Sequence, residues 1–451
     1  MENKNSDAQY RKMTETPVPK LIVGLSIPTI ISMLVTNIYN LVDTGFVGKL
    51  GTSASGAVGI VFGFMAILQA IGFLFGQGCG SILSRLLGKH DTKGASKAAS
   101  TGFFGALFLS LIAEIICFIY LDGLINILGS TPTIAPYAKT YITYILISAP
   151  FIVASFTMNN ILRYEGKAAL GMIGLLIGAI INMIGDPILM FTLNMGIAGA
   201  GLSTCLSQIV SFGILLSYFL TGKTICKLSL RKASYDIIFI GNIMATGLPS
   251  LLRQGLQSAS TIFLNMASAP YGDAAIAGMS AVARIIFFVF SVALGIGQGF
   301  QPVSAFNYGA KKYRRVRLAF NTAFYLATIL ITVFAIIVYF FAPQLVQTLR
   351  DDPDVIEIGA RALRLQCLTQ IFLPFCTMTE MLLQSTGKRL YASLLSSLKS
   401  GIIFIPVLWI LVQTRGLMGI QESQPVTNVL QLIPSVILAV WYFKKLPRED
   451  A

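Results

Sequence analysis

The chain is poor in the residues on which most soluble catalysis and most soluble surfaces depend. It has a single histidine, His90, in a basic stretch, which excludes a histidine-built metal centre and a buried imidazole relay. Its six cysteines (Cys79, Cys117, Cys205, Cys226, Cys367 and Cys376) are scattered, mostly in apolar runs and without a C-x-x-C pair. That excludes a disulfide framework or zinc ribbon and leaves them as small buried apolar residues. Charged side chains make up only 12% of 451 residues, about half the usual share of a soluble domain. No nucleophile–base pair, metal cluster or cofactor loop stands out, so neither an enzyme nor a resident cofactor is expected.

What the chain has instead is apolar length. At 55% hydrophobic residues and a mean hydropathy of +0.75, it reads as an all-α polytopic membrane protein. Twelve spans of about 20 to 27 residues nearly fill it. They are expected at 20–46, 54–82, 97–120, 134–160, 168–192, 196–220, 238–268, 273–303, 317–342, 356–383, 389–412 and 425–443. The first, near Leu21, contains Pro28, lacks a small-residue cleavage site and reads as a retained span. Alternate connections are basic: about 24 Lys and Arg residues fall on one side and about three on the other, so both termini are expected in the cytoplasm. The net charge of +14 is therefore topological, suited to anionic lipid headgroups and needing no nucleic acid.

The chain also repeats itself. A shift of 221 residues, the distance from Pro28 to Pro249, also carries Gly51 onto Gly272, Gly76-Gln77-Gly78 onto Gly297-Gln298-Gly299, and Gly166-Lys167 onto Gly387-Lys388. The register then slips by one, matching Gly196 to Gly416. Six spans followed by six of the same design make parallel repeats, an arrangement of transporters that rock one lobe against the other. The expected domains are a cytoplasmic tail (1–19), an N-lobe (20–220), a cytoplasmic linker (221–237), a C-lobe (238–443) and a second tail (444–451). The Gly-Gln-Gly motifs are read as close helix contacts, with a hinge as the alternative.

Three polar stripes interrupt the apolar helices of the first repeat. Asn182 and Asp186 are four apart, hence on one helical face, and Pro187 frees a carbonyl beside them. An aspartate at membrane depth is expensive and by default marks an ion or substrate path. In the first span Thr36, Asn37, Asn40, Asp43 and Thr44 form a second stripe; in the sixth, Thr204, Ser207, Gln208 and Ser211 form another. Counted from the outer ends, Asp43, Asp186 and Thr204 lie at similar depth and are expected in one cavity. The competing reading makes Asp43 an interfacial residue and Asp186 a capped structural acid. Two carboxylates side by side cannot both stay ionised cheaply, so a close pair is expected to hold a proton.

Asn40-Leu41-Val42-Asp43-Thr44, Arg163-x-x-Gly166, Asn182-x-x-x-Asp186-Pro187 and Gly196-x-x-Gly199-x-Gly201 followed by Thr204 resemble the multidrug and toxic compound extrusion (MATE) family, in its DinF-like and MepA-like bacterial branch. The resemblance covers essentially the whole chain. It implies a V-shaped, twelve-helix transporter of the MOP superfamily in the bacterial cytoplasmic membrane, taken here as a monomer. It also implies export of small amphipathic, mostly cationic organic compounds in exchange for H⁺ or Na⁺. Position by position, Asp43, Asn182, Asp186 and Thr204 match the family's cation site, which would also be the Na⁺ site; Asn159 or Asn160 matches its polar neighbours.

The second repeat departs from the pattern. Where some members carry an acid on the seventh span, this chain has Arg253, Gln254, Gln257, Thr261 and Asn265, and other bases lie within its spans (Arg284, Lys399). Such charges must pair, line water or meet substrate. Pairing with Glu380 and backbone carbonyls is one expectation; an anionic or zwitterionic substrate group bound by Arg253 or Arg284 is the other. The substrate cavity is expected to take in Asn37, Asn40, Asn159, Asn160, Arg253, Gln257 and Arg284. The rival function is a flippase or exporter for a lipid-linked or anionic substrate.

Overall fold

The computed structural model describes residues 2–450, and the regular structure among them is helical. In chain order the helices of the first half are α1 (Glu2–Glu15), α2 (Val18–Gly48), α3 (Thr52–Gly88), α4 (Thr92–Ile119), α5 (Leu121–Ile127), α6 (Ala135–Tyr164), α7 (Ala168–Pro187) and α8 (Ile197–Leu220). The second half has α9 (Ile237–Ser268), α10 (Asp273–Gly309), α11 (Tyr313–Phe340), α12 (Ala342–Leu349), α13 (Pro353–Thr369), α14 (Leu373–Ser385), α15 (Arg389–Ser397), α16 (Phe404–Arg415) and α17 (Leu417–Lys445). Beyond Pro187, α7 continues as a π-turn (Ile188–Thr192), and a second π-turn (Leu398–Ile402) joins α15 toward α16.

Among the described residues ten segments are long and apolar enough to cross a membrane, counting the π-turns with their helices. The other two expected spans, 238–268 and 356–383, are also helical. The first is α9, which carries Arg253, and the second is α13 and α14, broken by a turn at Gln370–Phe372. Exposed large apolar residues such as Ile119 (69%), Phe340 (69%) and Ile437 (62%) stand where lipid would cover them. The protein is a multi-pass membrane protein.

The repeat is visible in the backbone. Gly51 and Gly272 take φ of 117° and 92°, Gly166 and Gly387 79° and 85°, and Gly196 and Gly416 55° and 61°. Each pair marks equivalent turns where a side chain would strain the left-handed backbone.

By packing, the chain forms two compact units, Met1–Met13 with Ile31–Leu251, and Thr14–Ile30 with Leu252–Ala451. The boundaries cut α2 just after Pro28 and α9 just after Pro249, again related by the 221-residue shift. In the first unit a stripe of small residues on α3 lets α6 approach: a Cβ on Gly72 would lie 2.7 Å from the Phe156 Cβ, and one on Gly80 2.2 Å from the Tyr164 ring. The start of α9 packs on the same helix. A Cβ on Gly247 would stand 1.7 Å from the Leu74 carbonyl oxygen, one on Gly78 2.2 Å from that of Ile243, and Ser250 Oγ donates to Gln77 Oε1 at 2.6 Å. The connection 221–237 is stitched to α4: Ser234 N donates to Thr101 Oγ1 at 2.8 Å, and Ser100 Oγ to the Lys227 carbonyl at 2.9 Å. Buried Glu165 anchors it further, accepting from the amides of Ile225 (3.0 Å) and Cys226 (2.8 Å).

The second unit repeats the device. The start of α2 lies on α10, where Ser26 Oγ donates to the Ile296 carbonyl at 3.4 Å and a Cβ on Gly299 would meet Ser26 Oγ at 2.4 Å. Both Gly-Gln-Gly motifs are thus places where helices touch backbone to backbone.

Candidate functional site

The functional geometry begins on α7. Asn182 and Asp186 are buried to 1% and 0% exposure, and Asn182 Nδ2 lies 3.2 Å from Asp186 Oδ1. The same nitrogen lies 3.2 Å from Thr204 Oγ1 and 3.4 Å from Ser203 Oγ on α8, and Ser203 Oγ donates back to the Asn182 carbonyl at 3.2 Å. Glycine makes this approach feasible, because a Cβ on Gly185 would stand 2.6 Å from Ser203 Oγ. The helix places its acid at the end of its regular part, one residue before Pro187.

α2 brings the second acid. Asp43 is buried, and Tyr141 of α6 donates to its Oδ2 at 3.4 Å while also bonding Thr204. The Asp43 and Asp186 carboxyls interact directly, and buried Tyr39 lies beside both. Three oxygens in this cluster have no hydrogen-bond partner: Asp43 Oδ1, Asn182 Oδ1 and Asp186 Oδ2. A single buried unpartnered polar atom costs about 1 to 3 kcal/mol, more if charged, so three together call for something that supplies positive charge or a proton. The donors are carboxylates, an amide and hydroxyls, hard oxygens that fit H⁺ or Na⁺ and not a soft metal. Among the described residues no three His, Cys, Asp or Glu side chains form a metal-binding group.

Of the residues expected from sequence, Asp43, Asn182, Asp186 and Thr204 are brought together. Asn37 and Asn40 are half-buried on α2 with Asp43. Asn159 and Asn160 lie near the other end of α6 from Tyr141, a separation of about 28 Å along the helix. There Asn160 donates to the Phe156 carbonyl at 2.7 Å and accepts from Arg163, while the Asn159 amide fills the space beside Gly171. These two hold helix contacts and do not join the carboxylate pair. Tyr39, Tyr141 and Ser203 were not foreseen. Tyr39 is one turn before Asp43, and Ser203 adjoins Thr204, so local spacing carried a signal for two of the three; Tyr141 carried none.

In the second unit Arg253 Nη1 pairs with Glu380 Oε1 at 2.6 Å, and Ser396 Oγ donates to the same oxygen at 2.6 Å. Arg253 therefore offers no free charge, as the pairing expectation had it. Gln257 Oε1 accepts from Ser400 Oγ at 3.2 Å, and Arg284 is exposed on α10.

Among the described residues, two helical repeats, ten apolar spans and an acid pair buried inside the first repeat define a multi-pass membrane protein that holds ionisable groups within its own bundle. The MatE family model matches residues 28–188 and 249–410, two copies that begin at Pro28 and Pro249. The chain belongs to this family, the MATE transporters, with MepA-type relatives. The multidrug export protein MepA of Staphylococcus aureus (strain MSSA476) is 27% identical over 433 residues, 96% of each chain. A solved outward-facing multidrug resistance MATE family transporter of the MOP superfamily matches with a TM-score of 0.92 at 26% identity, over 97% of this chain and 98% of that one. A second, a MOP superfamily transporter from Pyrococcus furiosus whose binding pocket is described as reversed in polarity, suggesting a different function, matches with a TM-score of 0.89 at 26% identity over 97% of both chains.

Proposed function

We propose that this protein is a secondary multidrug efflux antiporter, expelling amphipathic and mostly cationic organic compounds in exchange for H⁺ or Na⁺ across a bacterial cytoplasmic membrane, with both termini in the cytoplasm. The observation that carries the reading is the set of three unpartnered oxygens on Asp43, Asn182 and Asp186. The names of the MepA relatives support the cargo class.

In this mechanism a proton shared by the two carboxyls, or a sodium ion held by the same oxygens and Thr204, relieves the repulsion between Asp43 and Asp186. The ion drives the cycle only through its preference for one state over the other, since equal affinity for both would shift nothing. The proton gradient is sufficient in energy, because each pH unit contributes about 1.4 kcal/mol, a tenfold drug gradient. One H⁺ exchanged for one monovalent cation leaves the membrane potential without effect, whereas a neutral drug would gain a further ~2.3 kcal/mol per 100 mV.

The test is efflux of a fluorescent organic cation from proteoliposomes under a pH gradient or a sodium gradient, comparing wild type with Asp43→Asn and Asp186→Asn. One gradient should drive transport and both variants should abolish it. Wild-type silence under both gradients would reject the reading and leave export of an anionic or lipid-linked substrate as the alternative.

A further inference from the structure

The second unit contains a cavity of 70 Å³ lined by residues of α9, α10 and α13, with Lys399 from the π-turn after α15. We propose that it is a second ligand site, in which Lys399 anchors the carboxylate of an amphipathic aromatic acid or zwitterion. The proposal extends the efflux reading to a cargo class that the acid pair of the first unit does not select, and it rests on that reading only for export, not for binding.

Charge makes the first argument. Lys399 lies ten residues into an apolar segment, and no carboxylate oxygen comes within 4.0 Å of its ammonium among the described residues. Glu380, the acid whose charge it feels, is engaged by Arg253 and Ser396, both at 2.6 Å. Two cations share one anion, so the neighbourhood carries an uncompensated positive charge. Such a charge at membrane depth is costly and by default functional. The Phe290 ring, 4.0 Å from Lys399 Nζ, offsets only part of that cost.

The lining makes the second. It contains no Asp or Glu among the described residues, and its polar members include the amides Gln366, Gln370 and Asn428. Gln370 is 2% exposed and its Oε1 has no partner, an acceptor waiting for a ligand N–H or O–H. The lining also has apolar members, with Phe287 and Phe290 on α10. Cation, orphaned acceptor and aromatic wall together match a carboxylate with a donor group on an aromatic body. A cavity of this volume holds the acid group and a few waters, not a whole drug. A π-turn under the lysine is also a recurrent functional irregularity in helices.

The experiment uses the full-length protein in nanodiscs and measures equilibrium binding of radiolabelled indole-3-acetate, whose ring N–H is the donor for Gln370, its neutral amide, which keeps that N–H, and the cation tetraphenylphosphonium. Wild type should bind the acid more tightly than the amide. Lys399→Met should weaken the acid by roughly 10- to 100-fold, the loss of a charged hydrogen bond, and leave amide and cation unchanged. Lys399→Arg should keep most of the acid affinity. Equal wild-type affinity for acid and amide, which requires no variant to fold, would overturn the proposal, as would full acid binding by Lys399→Met. Binding of the acid without gradient-driven transport would refute the efflux reading while leaving this site in place.

Discussion

Asn182 Nδ2 stands 3.2 Å from Asp186 Oδ1, so this amide donates to one carboxylate while its own oxygen stays unpartnered. This gives Asn182→Leu opposite consequences for the two candidate ions. Loss of the donor destabilises the charged carboxylate, so with H⁺ as the ion transport should activate at a lower proton concentration. Loss of the oxygen ligand should raise the half-saturating Na⁺ concentration instead, by roughly tenfold. Initial efflux rates across a pH series and a Na⁺ series read the difference; no shift in either would remove Asn182 from the site.

Gly247→Ala places a methyl carbon 1.7 Å from the Leu74 carbonyl oxygen, a backbone atom that cannot swing aside. The α3 and α9 contact must open, at an expected cost of about 1 to 3 kcal/mol or more. Thermal unfolding in detergent should show a clear fall in midpoint. Gly241→Ala, on the same helix with open space beside it, is the control and should change little.

Arg253 and Glu380 are 13% and 6% exposed at their side chains, which separates them from surface pairs such as Lys139 and Asp122 at 53% and 81%. Removing one partner of the buried pair should cost about 3 to 5 kcal/mol, while the exposed pair contributes at most about 1 kcal/mol. Arg253→Gln combined with Glu380→Gln should recover much of the loss of Glu380→Gln alone. A double-mutant cycle with additive effects would show the two to be uncoupled.

Glu165 lies outside the spans, and burial pushes its carboxyl above its ordinary value, against the opposing pull of Lys167 and two backbone amides. A folded-state value above the unfolded one means that this stabilising contribution is complete below about 4.5 and is lost as pH rises through the raised value. Wild-type unfolding midpoints should therefore fall more steeply than those of Glu165→Gln as pH rises from about 4.5 through the raised value, and run parallel above it. Parallel slopes below the raised value as well would reject the assignment.

The helices and the repeat were legible because apolar length, basic connections and the spacing of Pro28 and Pro249 are local or periodic signals. Asn182 and Asp186 were legible for the same reason, being one helical turn apart. The partition of α2 and α9 was not, because it depends on which glycine meets which carbonyl about 170 residues away, as with Gly78 and Ile243. Nor was the standing of the bases: Arg253 and Lys399 look alike in sequence, and only the geometry around Glu380 separates the paired one from the unpaired one.

The placement of α9 also bears on biosynthesis. The first compact unit needs residues up to Leu251, beyond the 221–237 connection, before Gln77 can meet Ser250 and Leu74 can meet Gly247. A nascent chain that ends after α8 therefore lacks part of its own first unit. Cut within the connection and coexpressed, the two pieces would each carry the segment that the other needs, so neither half of this duplicated gene is any longer an independent folding unit.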